Sequence, residues 1–235
     1  NKTISNLVIT GNKSDVGLFG MTTNGEIKNL TVNNAKVSGY LDVAVVAGTP
    51  YTSKYTNITV KGKVEVNGMA YVGGVGGKNA YANWNNITVD VDETSYVNAL
   101  SEENGKAYRT YVGGVIGSVK SGSVSAVYNR GNVTGAQDGE CVGGVVGYQS
   151  AGSVVNCVSN VNITSGGRTA GLAGAVAAGS VNSSYSVAND KAAVAISNSS
   201  STINAYYVAD ADCDGLGTRV ATADANNPEK FAGFD

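Results

Sequence analysis

Short runs of alternating apolar and polar residues recur along the chain. Three of them, 29–32, 57–60 and 86–89, read Asn, then Leu or Ile, then Thr and Val. Alternation with a period of two and β-branched residues predicts strands rather than helices. A further apolar residue stands three positions before each Leu or Ile, on the opposite face of a straight strand. We therefore expect a bend at the Asn, which tolerates a left-handed backbone conformation.

These runs belong to an internal repeat with two columns. The first column starts near residues 4, 27, 55, 84, 124, 154, 181 and 203. The second column is rich in glycine, and its best copies are DVGLFG at 15–20, YVGGVGG at 71–77, YVGGVIG at 111–117, CVGGVVG at 141–147 and TAGLAG at 169–174. Units of mostly 22–30 residues with short strands predict an all-β fold, a right-handed parallel β-helix or solenoid of about seven to eight coils. The rival architectures are a β-sandwich and a propeller. A propeller would need repeats of about 40–45 residues, a length that only the interval from 84 to 124 reaches.

Stacked coils lead to specific expectations about side chains. Leu30, Ile58 and Ile87 should form one inward column, because like positions of successive coils lie above one another. A second column should form a hydrogen-bonded ladder of Asn6, Asn29, Asn57 and Asn86. The glycine columns leave room for close backbone approach. The fifth position of the glycine motif either lies at a bend or contributes to an outer apolar stripe that docks a partner; it holds Phe19, Val46, Ile116 and Val146.

Composition agrees with a strand-rich chain and narrows the chemistry. The 235 residues include 32 glycines and only 2 prolines, which fits short strands joined by tight turns. The net charge of −2 does not indicate nucleic acid or an anionic membrane as a partner. No apolar run approaches the ~20 residues of a membrane helix, so we expect no membrane insertion. The chain contains no histidine, which excludes HExxH zinc sites and Ser-His-Asp triads from this segment.

The three cysteines do not indicate a disulfide scaffold. Their number is odd and their spacing irregular, unlike a disulfide framework. Cys141 and Cys157 are either bonded to each other or two separate buried thiols. Separate thiols are the favoured interpretation, because cysteine readily serves as a small core residue.

A long interval between two repeat starts points to a binding site. The stretch from 84 to 124 contains about ten extra residues, which fall within 92–111. Insertions on a regular solenoid are where function tends to lie, and Tyr and Arg are typical of recognition surfaces. We therefore predict a ligand-binding site at Tyr96, Tyr108, Arg109 and Tyr111. The alternative is a solvated loop or a small side hairpin.

Acidic residues suggest a metal site at one place and argue against catalysis at another. Asp210, Asp212 and Asp214 form D-x-D-x-D-G, a pattern that can wrap Ca²⁺, although an EF-hand would need Glu where Ala221 stands. An acidic turn is the alternative, and no other cofactor is predicted. Asp90 and Asp92 share one face of a strand, but adjacent coils bring no second carboxylate for acid–base catalysis. We therefore predict no catalytic residues and no enzyme.

The glycine-rich segments resemble a known repeat family. VGLFG, YVGGVGG, YVGGVIG, CVGGVVGYQSAGSVVNC and TAGLAGAVAAGSVNSSY are similar to the GLUG motif repeats of bacterial surface proteins. The resemblance covers most of the chain, least well at 92–110 and after about 208. It implies an extracellular setting, at the bacterial cell surface or secreted, as an adhesin or as an accessory domain of an immunoglobulin A protease whose catalytic unit lies elsewhere.

The domain organisation follows from the repeat. Residues 1–208 form the β-helix array with its insertion, and 209–235 form a C-terminal loop and cap, in which Asn227 and Pro228 start a short helix and Phe231 or Phe234 covers the open end. The leading hypothesis is a non-catalytic adhesin segment of a longer chain that presents a binding face to a host glycan or host protein. The alternatives are a structural spacer of a large secreted enzyme and a polysaccharide-active β-helix enzyme.

Overall fold

The molecule is a rod of stacked coils. The computed structural model describes residues 1–99, 102–103, 106–107, 109–135, 141–188, 193–197 and 201–232. Over these residues the chain winds into a parallel β-helix of about six turns, so the predicted all-β solenoid is confirmed. The terminal repeats contribute strands to fewer sheets than the central ones, which is why fewer full turns form than the seven to eight expected. No helix in this part of the chain is long and apolar enough to span a membrane.

Three parallel sheets, here numbered I to III, run along the rod. Sheet I consists of Lys2–Thr10, Glu26–Ser38, Lys54–Gly68, Asn83–Val91, Tyr96–Ala99, Ser123–Thr134, Ser153–Thr164, Gly179–Ala188, Ser201–Val208 and Thr218–Val220. Sheet II consists of Val43–Ala44, Tyr71–Gly73, Tyr111–Gly113, Cys141–Gly143 and Arg168–Ala170. Sheet III consists of Phe19–Thr23, Ala47–Tyr51, Gly76–Asn79, Ile116–Val119, Val146–Gln149, Ala173–Val176 and Ala195–Ser197. Each central turn passes through sheets I, II and III in that order.

Sheet I stacks the predicted inward column. Leu30 pairs with Ile58, and Ile58 pairs with Ile87, and all three side chains are buried. The bend at the preceding Asn is also confirmed, because φ lies between 57° and 58° at Asn29, Asn57 and Asn86. The Asn57 and Asn86 amides each donate to the Asn of the previous turn at 2.8 Å, so a ladder runs along the outer surface of sheet I.

The first repeat departs from the predicted register. Ile4 lies opposite Val32 rather than opposite Ile27, and the Asn34 amide donates to Asn6 Oδ1 at 3.0 Å. The strand Glu26–Ser38 has a second left-handed bend at Asn34, where φ is 59°. The first strand therefore stacks on the second half of its neighbour, and Asn6 belongs to a separate ladder.

Glycine permits a sharp corner between sheets II and III. A Cβ atom on Gly113 would lie 1.9 Å from the carbonyl oxygen of Ile116 and 2.8 Å from that of Val145. The backbone bend behind this close approach lets consecutive side chains point inward, so Ile116 and Val146 are fully buried. The bend interpretation of the fifth motif position is therefore correct there, and the outer apolar stripe is wrong. Phe19, near the amino-terminal end, is 37% exposed.

The core contains stacked aromatic rings and buried thiols. The Tyr55 and Trp84 rings stack with centroids 3.7 Å apart, and burial raises the pKa of Tyr55 to about 12. Cys141 and Cys157 are both buried, and no disulfide joins them, as predicted. Burial raises the pKa of Cys157 to about 12, so this thiol stays protonated and serves packing.

Two short segments lie outside the three sheets. In the insertion, Glu102–Glu103 pairs antiparallel with Lys106–Ala107. Near the carboxyl end, Thr222–Asp224 and Pro228–Lys230 form 3₁₀ turns, the second capped by the side chain of Asn227 as predicted.

The carboxyl-terminal tail covers a different surface from the one expected. The ring centroid of Phe231 lies 5.4 Å from that of Tyr206 and 5.6 Å from that of Tyr185. Tyr206 alternates with the inward-facing Tyr207 along its strand, so Phe231 packs on the outer side of sheet I rather than over the open end of the last coil. Phe234 lies outside the described residues.

Candidate functional site: a tyrosine–lysine face

The outer side of sheet III and its two borders carry an unusual set of side chains. We call this surface the tyrosine–lysine face, and it consists of Tyr51, Tyr71, Lys78, Tyr81, Tyr111, Lys120 and Tyr148. The described strands of sheet III contain no Asp or Glu. Because parallel stacking places like positions side by side, residues of one type accumulate on this face over several turns.

The border with sheet II is a packed crease of aromatic rings. Tyr111 pairs in register with Tyr71, and their ring centroids are 5.3 Å apart. Tyr148 enters from sheet III and stacks on Tyr111 with a centroid distance of 4.8 Å. Tyr111 is only 8% exposed, so this crease is chiefly structural. The Lys78 ammonium lies 4.8 Å from the centroid of the Tyr71 ring, within the range of a cation–π contact.

The border with sheet I is more open. Tyr51 and Tyr81 meet edge to face, with centroids 5.6 Å apart and planes at 85°. These rings are 43% and 39% exposed. The ammonium of Lys120, from the next turn, lies 5.1 Å from the centroid of the Tyr81 ring. We call Tyr51, Tyr81 and Lys120 the corner cluster, since they stand where the chain turns from sheet III to sheet I.

A buried side chain holds the backbone of the corner cluster. Asn79 is fully buried; its amide donates to the carbonyl groups of Ala82 and Ser121, and its Oδ1 accepts from the Ala82 N–H at 3.0 Å. Tyr81, inside this loop, has φ of 131°, a conformation that costs free energy for any residue with a side chain. The two turns bonded by Asn79 therefore fix the position of an exposed aromatic ring.

The charges of this face are not neutralised by its own strands. Within the described chain, neither Lys78 nor Lys120 forms a salt bridge. A hydrogen bond with the Tyr81 hydroxyl raises the pKa of Lys120. The half-buried carboxyl group of Asp42 lies near Lys78. Burial raises the pKa of Asp42 to about 6, and the positive charge of Lys78 acts in the opposite direction. Of the two lysines of this face, Lys120 is therefore the one whose positive charge is less compensated by a carboxylate.

Two of the candidate binding residues of the insertion, Tyr96 and Tyr111, lie on different sheets. Tyr96 is in sheet I, where its hydroxyl accepts a 3.4 Å hydrogen bond from the Asn67 amide. Tyr111 is in sheet II, within the crease. Arg109, two residues before it in sequence, is exposed, and Tyr108 lies outside the described residues. The structure therefore places one of the four, Tyr111, on the tyrosine–lysine face.

The candidate metal residues form an acidic turn with a cation. Asp212 accepts a 2.8 Å hydrogen bond from Arg219 Nε. Asp212 and Asp214 line one side of a surface hollow with Arg168. Across the described residues, no group of three or more potential ligands among His, Cys, Asp and Glu lies close enough to hold a metal ion. Calcium binding at Asp210, Asp212 and Asp214 remains a prediction.

The acidic residues of the insertion border are engaged by neighbours. Arg130 donates to Asp90 at 2.7 Å. Asp92 accepts hydrogen bonds from the hydroxyl groups of Ser95 and Thr94, which lower its pKa. This arrangement is typical of structural turns rather than of a general acid, which needs a raised pKa.

The corner cluster was not foreseen from the repeat. Tyr51 and Tyr81 stand four and three residues before the repeat starts at Tyr55 and Trp84, so they do not share one motif position. The sequence contains only a weak indication of the corner cluster: an aromatic residue stands just before two of the repeat starts, in stretches without acidic residues.

Comparison with known proteins identifies a similar fold. No protein-family model matches the chain, and no curated protein matches it. A solved structure does match: the crystal structure of a "putative immunoglobulin A1 protease" from Bacteroides ovatus. That structure is 16% identical in sequence, and the match covers 96% of this chain and 68% of that chain with a TM-score of 0.58. At this identity the likeness concerns the fold.

Proposed function

We propose that this chain is a non-catalytic binding segment of a longer, extracellular bacterial protein, and that the tyrosine–lysine face contacts the ligand. One observation carries the proposal: exposed aromatic rings and unneutralised cations gather on one side of a rigid rod. Tyrosine offers a large, rigid contact area at a low cost in conformational entropy. A solenoid displays such residues along an extended surface. A host glycan or host protein is the expected partner.

A second candidate function is supported by a different observation. The fold is similar to that of the "putative immunoglobulin A1 protease" from Bacteroides ovatus. A β-helical rod is suited to the role of a spacer or accessory domain. In that role the chain would hold a neighbouring catalytic unit at a distance and bind nothing itself. The resemblance of the glycine-rich segments to GLUG repeats is compatible with both roles.

A binding screen with matched variants separates the two functions. The fragment is applied to a glycan array and to a panel of host surface proteins that includes immunoglobulin A. We expect binding that is lost in a Tyr51→Ala/Tyr81→Ala variant. Binding should persist in Tyr128→Ala, because Tyr128 is similarly exposed, at 40%, but lies on sheet I.

Each other outcome has a defined meaning. Binding lost in a Tyr108→Ala/Arg109→Ala variant but not in the corner variant would assign recognition to the insertion. No binding to any probe would favour the spacer. Release of reducing or unsaturated sugars from an acidic polysaccharide would contradict the non-catalytic role.

A further inference from the structure

We infer that the ligand of the tyrosine–lysine face is an acidic glycan, held at the corner cluster by stacking on Tyr51 and Tyr81 and by an ion pair with Lys120. This inference rests on the proposed binding function and names its ligand class. The required chemistry is a sugar ring with an apolar face and a negatively charged carboxylate or sulfate group beside it.

The aromatic part of the corner cluster fits a saccharide. Tyr51 and Tyr81 are about two-fifths exposed, and their planes are 85° apart. One ring can therefore lie beneath the C–H face of a sugar while the other borders its edge. Their hydroxyl groups provide polar tips that can hydrogen-bond to sugar hydroxyls. Hydrogen bonds between the Asn79 side chain and the backbone of Ala82 and Ser121 hold the loop that carries Tyr81, so little backbone ordering is needed on binding.

The charge of the cluster selects an anion. Lys120 lies over the Tyr81 ring and forms no salt bridge with any described carboxylate. By contrast, Arg130 on sheet I is paired with Asp90 on the adjoining turn. An exposed cation beside stacked rings, with no acidic residue on the sheet III strands, is complementary to a negative group on the ligand.

The surroundings favour a glycan over a peptide or a nucleic acid. Peptides usually add to an open sheet edge or fill an apolar groove. The strands Ala47–Tyr51 and Gly76–Asn79 are inside sheet III and pair with neighbours on both sides, so the cluster offers no free edge. A nucleic acid would require several phosphate contacts, whereas one uncompensated lysine stands here.

The test compares ligands that differ in charge and little else. Dissociation constants are measured calorimetrically for the fragment with galacturonic acid oligomers, with their methyl esters, with heparin oligosaccharides and with polyglutamate as a non-glycan polyanion. We expect the acid to bind at least about tenfold more tightly than the neutral ester, as one charge-assisted contact implies. Lys120→Gln should weaken binding of the acid by about tenfold. Lys61→Gln, which alters an exposed lysine of sheet I, should have no effect.

The outcomes distinguish this inference from the proposed function. Binding of the galacturonate oligomers would show that a carboxylate suffices, and binding of heparin without binding of galacturonate would show that a sulfate is required; either outcome supports the inference. Equal affinity for acid and ester, or binding of polyglutamate but of no glycan, would overturn it. If these probes fail but another ligand depends on Tyr51 and Tyr81, the inference is wrong and the binding function stands. If no ligand depends on those rings, both are wrong. Thermal unfolding of each variant establishes that it is folded.

Discussion

The outer faces of sheets I and III are built by the same stacking but have opposite chemistry. On sheet I, polar residues bond one another within and between turns: Asn57 bonds Asn29 on the neighbouring turn, and Glu65 binds the ammonium groups of Lys36 on that turn and Lys63 on its own strand at 3.1 and 3.2 Å. On sheet III, tyrosine rings and lysines meet with no carboxylate on the strands. On the first surface several polar groups bond one another, whereas the second presents rings and cations that contact a ligand in the proposed role.

This difference shows how a solenoid turns repetition into a surface. A column of side chains that can both donate and accept, such as Asn, satisfies itself when it is stacked. In a column of tyrosines the rings stack on one another, but a lysine that lies over such a ring still lacks an anionic partner. We therefore expect the self-satisfied columns and the glycine corner to contribute most to stability, and the proposed recognition to use the unsatisfied columns.

The largest effect is expected where the chain turns between sheets II and III. Gly113→Ala would place a Cβ 1.9 Å from the carbonyl oxygen of Ile116, and the backbone of the adjoining turn leaves no room for relaxation. We expect the free energy of unfolding to fall by more than about 3 kcal/mol. Urea unfolding followed by circular dichroism measures it.

A second glycine provides the control for that experiment. On Gly11 the nearest atom to an added Cβ is Val16 Cγ2 at 3.5 Å, an ordinary contact, so Gly11→Ala should change stability by less than about 1 kcal/mol. Equal losses at Gly11 and Gly113 would contradict the claim that the close backbone approach at the corner makes Gly113 necessary.

The next effect compares two tyrosines on opposite faces. Tyr111 is 8% exposed and stacks on Tyr148, whereas Tyr128 is 40% exposed on sheet I. We expect Tyr111→Ala to lower the free energy of unfolding by about 2–3 kcal/mol, and Tyr128→Ala by about 0.5 kcal/mol. Similar losses in urea unfolding would contradict the division between a packed crease and an open sheet I surface.

Two carboxylates, Asp42 near Lys78 and Glu65 on sheet I, should respond to pH in opposite ways. Burial raises the pKa of Asp42 to about 6, above its unfolded value of about 3.9. Its contribution to stability is therefore full below the unfolded value and is lost as pH rises through about 6. Hydrogen bonds from Lys36 and Lys63 lower the pKa of Glu65. Its contribution is present above the unfolded value and is lost as pH falls through the lowered folded pKa.

Two isosteric variants measure these opposite trends. At pH 7 we expect Asp42→Asn to be more stable than the parent chain by about 1–2 kcal/mol, since Asp42 is half-buried and solvent screens part of the shift. The difference should disappear near pH 4. Glu65→Gln should be less stable at pH 7 and approach the parent chain as pH falls. Urea unfolding at a series of pH values measures both differences. If the stability difference from the parent chain changed with pH in the same direction for both variants, the opposite pKa shifts of Asp42 and Glu65 would be contradicted.

The central columns of the fold were predictable because one short motif carries both the period and the bend. In Asn-Ile-Thr-Val the alternation marks the strand and the Asn marks the left-handed turn, so the stacking of Ile58 on Ile87 follows. The register of the first strand was not predictable, because Glu26–Ser38 has bends at both Asn29 and Asn34. The Asn followed by an apolar residue in the first strand could align with either bend. Pairing along the whole of the first strand decides between the two registers.

The candidate site was less predictable for a physical reason. Tyr51, Tyr81 and Lys120 come from three turns of different length: Tyr51 ends its sheet III strand, whereas Lys120 and Tyr81 stand one and two residues after theirs. They meet only because the corner is shaped by buried groups such as Asn79, whose hydrogen bonds cross between turns. The insertion was predictable as a candidate site because its polar residues are adjacent in the chain, and it contains only Tyr111 of this face.

The smallest effect tests whether the self-satisfied surface of sheet I can be extended. Ala126 lies between Asn86 and Asn156 in the stack and has φ of 52°, a left-handed conformation that Asn tolerates better than Ala. Ala126→Asn should relieve this strain and bridge the gap in the ladder. We expect the free energy of unfolding to rise by about 1 kcal/mol.

A glycine at the same position separates the two contributions to that gain. Ala126→Gly relieves the backbone strain without adding a side-chain amide, so it should gain less than Ala126→Asn. The difference between the two variants in urea unfolding then measures the ladder itself. If both variants were equally stable, the ladder would add nothing to the strain relief, and stacking of Asn residues would no longer explain why sheet I satisfies its own polar groups.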